Sequence, residues 1–333
     1  MTARRVLVAG GTGYIGRHVV QELVSRGHQV ICLARSRSGV GGADDEAQTR
    51  QRLAPATVLF ADVTSAASLE AVLKDEPFDV VVSCLASRSG GVADSWAIEH
   101  QANLNLLEAA RRAGARQFLL LSAICVQRPK LAFQHAKLAF EEALQSSGLI
   151  WSIVRPTAFF KSLAGQVKRV KAGGAFLVFG DGRLTACAPI SEGDLARFMV
   201  DCLDDPSRHG RVLPIGGPGA AITPLDQGAL LFEACAKPPR YRHVPVAMLD
   251  VIIWVLSALG RLVPSLLDKA EYARIGRYYA TESMLVFDAR RGAYDDALTP
   301  RFGTETLRAF YARAVTQGLD GQALGDHALR SRT

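Results

Sequence analysis

The chain has 333 residues, of which 49% are hydrophobic and 21% charged, a composition that excludes disordered, collagen-like and coiled-coil proteins. The formal charge of +7 comes from scattered cations, so we expect no nucleic-acid partner and favour an acidic or phosphorylated ligand or an anionic membrane surface. The six cysteines include no CxxC pair. This spacing argues against a metal site and predicts free thiols in a reducing compartment.

The first half of the chain alternates short apolar runs with amphipathic helical patterns. We predict strands at residues 5–9, 29–34, 57–60, 79–84, 117–122 and 150–154, with helices near 13–26, 102–110 and 132–145. This alternation predicts an α/β fold with a doubly wound parallel Rossmann sheet. Because the alternation stops after Pro156, we assign residues 1–156 to a nucleotide-binding Rossmann domain. Residues 157–333 then form a smaller C-terminal substrate-binding lobe, with late elements returning to the sheet.

The most apolar part of the second half is the segment 246–267. Its charge-free core covers only residues 251–260, whereas a membrane span needs about 20 apolar residues. Three alternatives stay open for this segment: an apolar lid, a contact with a membrane surface, or a buried core helix. Since the first strand begins close to Met1 without an apolar leader, we expect a cytoplasmic protein, with peripheral membrane contact as an option.

A glycine-rich run, Gly10-Gly-Thr-Gly-Tyr-Ile-Gly16, joins the first predicted strand to the first predicted helix. Glycines at such a turn let the backbone approach a pyrophosphate, and the helix N-terminus attracts its charge. The spacing admits two readings, Gly11/Gly13/Gly16 and Gly10/Gly13/Gly16. In either, the run predicts a dinucleotide site that includes Tyr14 and Ile15.

The residues after the second strand indicate which dinucleotide is bound. An NAD site needs a carboxylate there to accept a hydrogen bond from the ribose 2′-hydroxyl. The strand instead ends in Leu33-Ala-Arg-Ser-Arg37, which has no carboxylate and two guanidinium groups. Arg35, and less strongly Arg37, could bind a 2′-phosphate. We therefore expect NADPH as the cofactor.

The Thr-Gly-Tyr-Ile-Gly run, with Gly10, Gly13 and Gly16, resembles the short-chain dehydrogenase/reductase superfamily. Asp62 after the third strand, Asn103 in the fourth helix and Pro156 after the sixth strand agree with it. The resemblance places Asp62 near the adenine and Pro156 beside the nicotinamide.

The superfamily's usual catalytic pair, a Tyr and a Lys four residues later, is altered here. Lys137 is present, and the resemblance makes it a catalytic residue and a ribose ligand, but Phe133 occupies the Tyr position. Phenylalanine cannot donate a proton, so ordinary alcohol–ketone chemistry is not expected. Ser122 matches the position of the catalytic Ser. Loss of the Tyr is typical of the atypical branch, whose members reduce activated C=C bonds or sense nucleotide.

Within that branch the chain resembles the divinyl chlorophyllide 8-vinyl reductases. The resemblance lies in residues 121–129 (LSAICVQRP), 133–141 (FQHAKLAFE), 155–163 (RPTAFFKSL), 179–182 (FGDG), 215–218 (IGGP) and 279–284 (YATESM). It implies that NADPH reduces the C8 vinyl group of a Mg-tetrapyrrole to ethyl in (bacterio)chlorophyll synthesis. The proton donor and the oligomeric state are not indicated.

A flat apolar pigment needs apolar walls. We expect these from Phe133, Phe159, Phe160 and Phe179, with plain core packing as the alternative. Two other functions stay open: another atypical alkene reductase, and a non-catalytic NADP-binding sensor or complex-assembly subunit.

Overall fold

The computed structural model describes residues 3–38, 42–88, 90–263 and 265–318. Its first eight strands are β1 (Arg5–Ala9), β2 (Gln29–Ala34), β3 (Thr57–Phe60), β4 (Val80–Ser83), β5 (Gln117–Leu121), β6 (Ile150–Pro156), β7 (Phe176–Phe179) and β8 (Arg211–Ile215). All of them except β7 form one parallel sheet in the order β3-β2-β1-β4-β5-β6-β8. This sheet confirms the predicted doubly wound α/β fold.

Helices cover both faces of the sheet. They are α1 (Gly16–Ser25), α2 (Glu46–Leu53), α3 (Ala66–Leu73), α4 (Val92–Ser95), α5 (Ala102–Arg112), α6 (Ala132–Gln145), α7 (Val167–Lys171) and α8 (Glu192–Asp201). Side chains alternate between the faces of a strand, so Val6 and Val8 pack with α1 and α8, while Leu7 packs with α3, α5 and α6. The sheet is therefore buried on both sides, as the continuous apolar strands predict.

Near the site, a π-helical turn and a 3₁₀ turn interrupt the alternation of strands and α-helices. A π-helical turn, Trp96–Gln101, joins α4 to α5, and a 3₁₀ turn, Ile124–Gln127, follows β5. Further 3₁₀ turns lie at Phe160–Gln166 and Pro206–Arg208.

The C-terminal part adds α9 (Pro224–Ala234), β9 (Tyr241–Val244), α10 (Ala247–Gly260), α11 (Ser265–Thr281), β10 (Val286–Asp288), β11 (Ala293–Asp295) and α12 (Leu307–Gln317). Strand β7 pairs with β9, and β10 with β11. A separate apolar core joins Phe160, Phe176, Phe232 and Phe310. Because α8 packs on α1 and β8 pairs with β6, the chain returns to the sheet after residue 156. The domain division at that residue stays a prediction, and residues 319–333 of the predicted lobe lie outside the described residues.

Helices α10 and α11 pack side by side, and α10 leaves most of its apolar side chains in solvent. Gly260 is the buried residue of α10, while Trp254 is 71% exposed. The alternative of a buried core helix for this segment is therefore wrong. Within the described ranges, no helix has both the length and the apolar character needed to cross a membrane.

Candidate cofactor and substrate site

The predicted site residues meet at one edge of the sheet. Strand order reverses between β1 and β4, and ligands of doubly wound sheets bind at such a point, beyond the carboxyl ends of the strands. Gly10 directly follows β1, Arg35 follows β2, Asp62 lies just after β3, and Ser122 directly follows β5. Pro156 is the last residue of β6. Parallel pairing brings these strand ends to the same side.

The glycine turn requires glycine at two of its positions for reasons of backbone geometry. Gly10 has a φ of +81°, and a Cβ atom there would lie 2.5 Å from the carbonyl oxygen of Cys84. A Cβ on Gly16 would lie 2.1 Å from the carbonyl oxygen of Gly10. By contrast, a Cβ on Gly11 would meet only side-chain atoms, at 3.2 Å or more. The geometry therefore favours the Gly10/Gly13/Gly16 spacing of the two that the sequence allows.

The turn fits the pyrophosphate of a dinucleotide. Gly13 is exposed at its tip, and its amide donates to the carbonyl of Gly10 at 3.0 Å, which keeps the turn tight. Helix α1 begins at Gly16, and its N-cap residue, Ile15, provides no side-chain hydrogen bond to the helix end. Ile15 is itself a core residue, 5% exposed. The positive end of the helix dipole is thus free of a side-chain cap, the arrangement that suits a phosphate.

Tyr14 connects the turn to the segment that follows β6. Its hydroxyl donates to Glu192 Oε2 at 2.6 Å, and its ring meets the Phe159 ring edge-on, with 6.4 Å between centroids. Lys161 Nζ lies 4.7 Å from the centre of the same ring. Burial, together with the Glu192 carboxylate, raises the pKa of Tyr14 far above its ordinary value. Tyr14 is therefore a neutral anchor, and Phe159 lies beside the glycine turn.

The second and third strands present opposite charges at the adenosine end of the site. Arg35, Ser36 and Arg37 are exposed directly after β2. The carboxylate of Asp62 accepts hydrogen bonds from the amide and hydroxyl of Thr64 at 2.9 and 2.7 Å. These bonds, with a smaller contribution from Arg35, lower the pKa of Asp62. Two cations and no carboxylate thus follow β2, which suits an additional phosphate.

Lys137 forms a buried ion pair that sequence analysis did not identify. Its Nζ donates to Glu99 Oε2 at 2.7 Å, and Glu99 Oε1 accepts from the backbone amide of Ser87 at 2.9 Å. Both side chains are at most 10% exposed. The side-chain amide of Asn103 donates to the carbonyls of Ile98 and Glu99, which holds the π-helical turn. A glutamate on the apolar side of this helix, four residues before Asn103, is the sequence signal that could have revealed it.

Ser122 has its hydroxyl directed to a second buried network. The hydroxyl donates to Glu141, whose carboxylate also pairs with the guanidinium of Arg155. Glu141 is 1% exposed, so this network fixes the ends of β5 and β6 relative to α6. The catalytic assignment of Ser122 stays a prediction, with its proton engaged by Glu141 in this structure.

The four predicted slot aromatics lie in different surroundings. Phe133 is partly buried against a cluster that includes Cys125, and Phe159 lies beside Tyr14. Phe160 is fully buried and packs on Phe310, with 5.4 Å between ring centroids. It is a core residue, the alternative that the sequence left open for it. Phe179 is partly buried at the end of β7 and pairs with Val244 in β9.

The cysteines are all free thiols. Burial raises the pKa of Cys32, Cys84 and Cys187 to about 12, so these thiols are protonated. In the part of the chain that the structure describes, no three His, Cys, Asp or Glu side chains come together as metal ligands.

Comparison with known proteins agrees with this geometry. A family model described as NAD(P)H-binding matches residues 10–206. Among solved structures, the UDP-glucose 4-epimerase of Thermotoga maritima, with UDP-glucose, superposes with a TM-score of 0.67 over 96% of this chain and 99% of that chain. Its identity is 18%, so the likeness shows the fold alone.

Closer relatives come from plants. The divinyl chlorophyllide a 8-vinyl-reductase of Oryza sativa subsp. indica is 52% identical over 330 residues, which cover 97% of this chain and 82% of that protein. Its counterpart from Arabidopsis thaliana is 50% identical, over 96% of this chain and 79% of that protein. Both names include the word chloroplastic. The chain thus belongs to the NAD(P)H-binding family and, within it, to the divinyl chlorophyllide a 8-vinyl-reductases.

Proposed function

We propose that the protein is an NADPH-dependent reductase that converts the C8 vinyl group of divinyl chlorophyllide or protochlorophyllide to an ethyl group in (bacterio)chlorophyll synthesis. The observation that supports this most strongly is identity of 50–52% with curated reductases over nearly the whole chain. The site agrees, since it combines a nucleotide turn with Lys137 and with Phe133 in place of a proton-donating tyrosine.

The residues of the candidate site can each be assigned to a chemical group of NADPH. The turn of Gly10, Gly13 and Gly16 would hold the pyrophosphate, and Arg35 would hold the 2′-phosphate. An ammonium has three donor hydrogens, so Lys137 can keep its bond to Glu99 and still donate to the ribose. When bound, NADPH supplies the hydride. Asp62 would lie near the adenine, and Pro156 would lie beside the nicotinamide.

The substrate we propose is a Mg-tetrapyrrole, a large flat molecule with an extended π-system. Addition of hydride to its vinyl group leaves an electron pair that the macrocycle itself delocalises, so the protein needs no oxyanion site. Phe133, which is half-buried and lies one helical turn before Lys137 on α6, would provide one apolar wall of the substrate slot.

The test is an anaerobic incubation of purified protein with NADPH and divinyl chlorophyllide, followed by chromatography and absorbance. We expect an 8-ethyl product in amounts equal to the NADPH consumed. NADPH binding without consumption would favour a sensor or assembly subunit, and consumption with another alkene only would favour a different atypical reductase. Either result would overturn the proposal.

We further propose that the face formed by α10 and α11 contacts an anionic membrane surface peripherally, with the protein on the cytoplasmic side of the photosynthetic membrane. The exposed apolar side chains of this face are Met248, Val251, Ile252, Trp254, Val255, Leu259, Leu262, Val263 and Leu267. Leu262, between the two helices, is 83% exposed, and the exposed residues Arg261, Asp268 and Lys269 lie within seven residues of it in the sequence. Apolar residues bordered by cations are typical of interfacial helices.

Flotation with vesicles tests the membrane contact. We expect the protein to float with vesicles of phosphatidylglycerol and to do so less with phosphatidylcholine. The double variant Trp254→Ser/Leu262→Ser should stay at the bottom of the gradient, while Leu298→Ser, which removes one exposed leucine elsewhere, should float like the wild type. Equal flotation of all three proteins would contradict the proposal.

A further inference from the structure

Helix α11 packs against segments that lie next to the candidate site. The hydroxyl of Tyr278 donates to the backbone carbonyls of Cys125 and Arg128, at 2.9 and 3.1 Å. On the side of β4, a Cβ added to Gly90 would lie 2.4 Å from Ile275 Cδ1. The helix is therefore fixed to the segments that follow both β4 and β5, and Ser122 lies at the end of β5.

Tyr279 lies next to this anchor and has a different environment. Tyr278 is 4% exposed and Tyr279 is 45% exposed, but the hydroxyl end of Tyr279 lies against the buried thiol of Cys125. The Tyr279 hydroxyl lies 3.8 Å from Cys125 Sγ. A thiol sulfur is a weak acceptor, so this contact leaves the hydroxyl proton available to a better base. Tyr279 is therefore held beside the fixed Tyr278, and its hydroxyl contacts a weak acceptor, the sulfur of Cys125.

Tyr279 contacts Cys125, a member of the cluster against which Phe133 of α6 packs. Phe133 packs against the same cluster as Cys125 and Tyr278, so α11 brings a phenol to the surroundings of the position where α6 lacks one. The side chains around Tyr279 also affect one another electrostatically. Desolvation, then Cys125 and more weakly Glu99, raise the pKa of Tyr279 well above its ordinary value, and the charge of Lys137 acts on Cys125. The Tyr279 phenol is consequently protonated at neutral pH.

Other proton-bearing groups of the corner are engaged or inert. The Ser122 hydroxyl donates to Glu141, and the Lys137 ammonium is paired with Glu99 and assigned above to the ribose of the cofactor. The Cys125 thiol is 2% exposed, and burial raises its pKa.

We propose that Tyr279 is the proton donor of the reduction, an inference that rests on the proposed function. Hydride adds to one carbon of the vinyl group, and the electron pair of the broken π-bond delocalises into the macrocycle. The O–H bond of Tyr279 then breaks as a C–H bond forms at the other vinyl carbon. The tyrosinate recovers its proton from water, so that one hydride and one proton convert vinyl to ethyl.

The experiment compares wild type, Tyr279→Phe and Tyr294→Phe. Tyr294 is a suitable control because its hydroxyl donates to Glu282 in the C-terminal part of the chain. Single-turnover rates are measured with saturating NADPH and divinyl chlorophyllide, from neutral to alkaline pH. Binding of NADPH and of the pigment is followed separately by fluorescence and absorbance.

We expect Tyr279→Phe to lower the rate by about 100-fold or more, the size of a general-acid contribution, with both affinities unchanged. Its residual rate should fall as pH rises, because hydronium then supplies the proton, whereas the wild-type rate should be constant over the neutral range. Tyr294→Phe should behave as wild type.

Two results would overturn the inference alone: a wild-type rate for Tyr279→Phe, or a rate loss matched by lost pigment affinity with an unchanged pH profile, which would make Tyr279 a positioning residue. If the wild type itself reduces no vinyl group, the proposed function fails and the inference fails with it.

Discussion

The two ends of the candidate site are built in different ways. At the nucleotide end, one continuous run of seven residues forms the turn, and its shape follows from backbone contacts between Gly10 and Gly16. At the other end, Lys137, Glu99, Cys125 and Tyr279 come from four separate segments. The first end depends on local geometry, and the second on how distant segments pack.

This difference has an energetic counterpart. The glycine turn has no room for a side chain at Gly16, so a substitution there should destabilise the turn by steric overlap. The opposite corner contains a buried ion pair, and a buried charge that loses its partner is strongly destabilising. Substitutions at the two ends should therefore destabilise the protein for different physical reasons.

The largest expected effect is at the assembled end. Lys137→Met leaves the carboxylate of Glu99 buried without its partner, and the free energy of unfolding should fall by about 3–5 kcal/mol. The double variant Lys137→Met/Glu99→Gln removes both charges and should recover most of that loss. Denaturant unfolding monitored by circular dichroism measures both. Equal stability of the single and double variants would show that the pair does not hold this corner.

An intermediate effect is expected at the contiguous end. In Gly16→Ala the new methyl group overlaps the carbonyl of Gly10, and the strain should cost about 1–3 kcal/mol of stability and weaken NADPH binding. Gly165→Ala is the matched control, because a Cβ there meets no atom within 4 Å. Thermal unfolding and fluorescence titration provide the comparison. A Gly16→Ala protein with normal NADPH affinity would contradict the steric account of the turn.

The smallest effect concerns cofactor choice at the exposed adenosine end. Arg35→Ala should weaken NADPH binding by about 10-fold, or about 1.4 kcal/mol, and leave NADH binding unchanged, because only NADPH has the 2′-phosphate. Arg37→Ala should have the weaker effect of the two. Isothermal titration with both cofactors measures the change. An equal loss for NADPH and NADH would place Arg35 at a part shared by the two molecules.

The same contrast explains how far sequence reasoning reached. The predicted bounds of β1, β2, β3 and α6 match the structure because each element lies within one uninterrupted pattern of side chains. The glycine turn was predicted for the same reason, since its geometry is set within seven residues. The choice between its two possible glycine spacings required the structure, because the sequence does not show which Cβ atoms would meet the backbone.

Residues positioned by long-range packing were missed or assigned to the wrong surroundings. Glu99 becomes a partner of Lys137 only through the π-helical turn that Asn103 holds. Phe160 and Phe159 are adjacent in sequence, yet one packs in the C-terminal core and the other beside Tyr14. Burial was one of three alternatives that the apolarity of α10 left open, and its packing partner covers only a small part of it. The sequence shows that a side chain is apolar, but it does not show which part of the protein covers that side chain.

The most direct test of the central claim follows the hydride. Purified protein is incubated anaerobically, in ordinary water, with divinyl chlorophyllide and NADPH that bears deuterium at the transferred position of C4. We expect an 8-ethyl product that contains a single deuterium, located in the new ethyl group by mass spectrometry and NMR. Recovery of unreduced pigment, or an ethyl product without deuterium, would contradict the account.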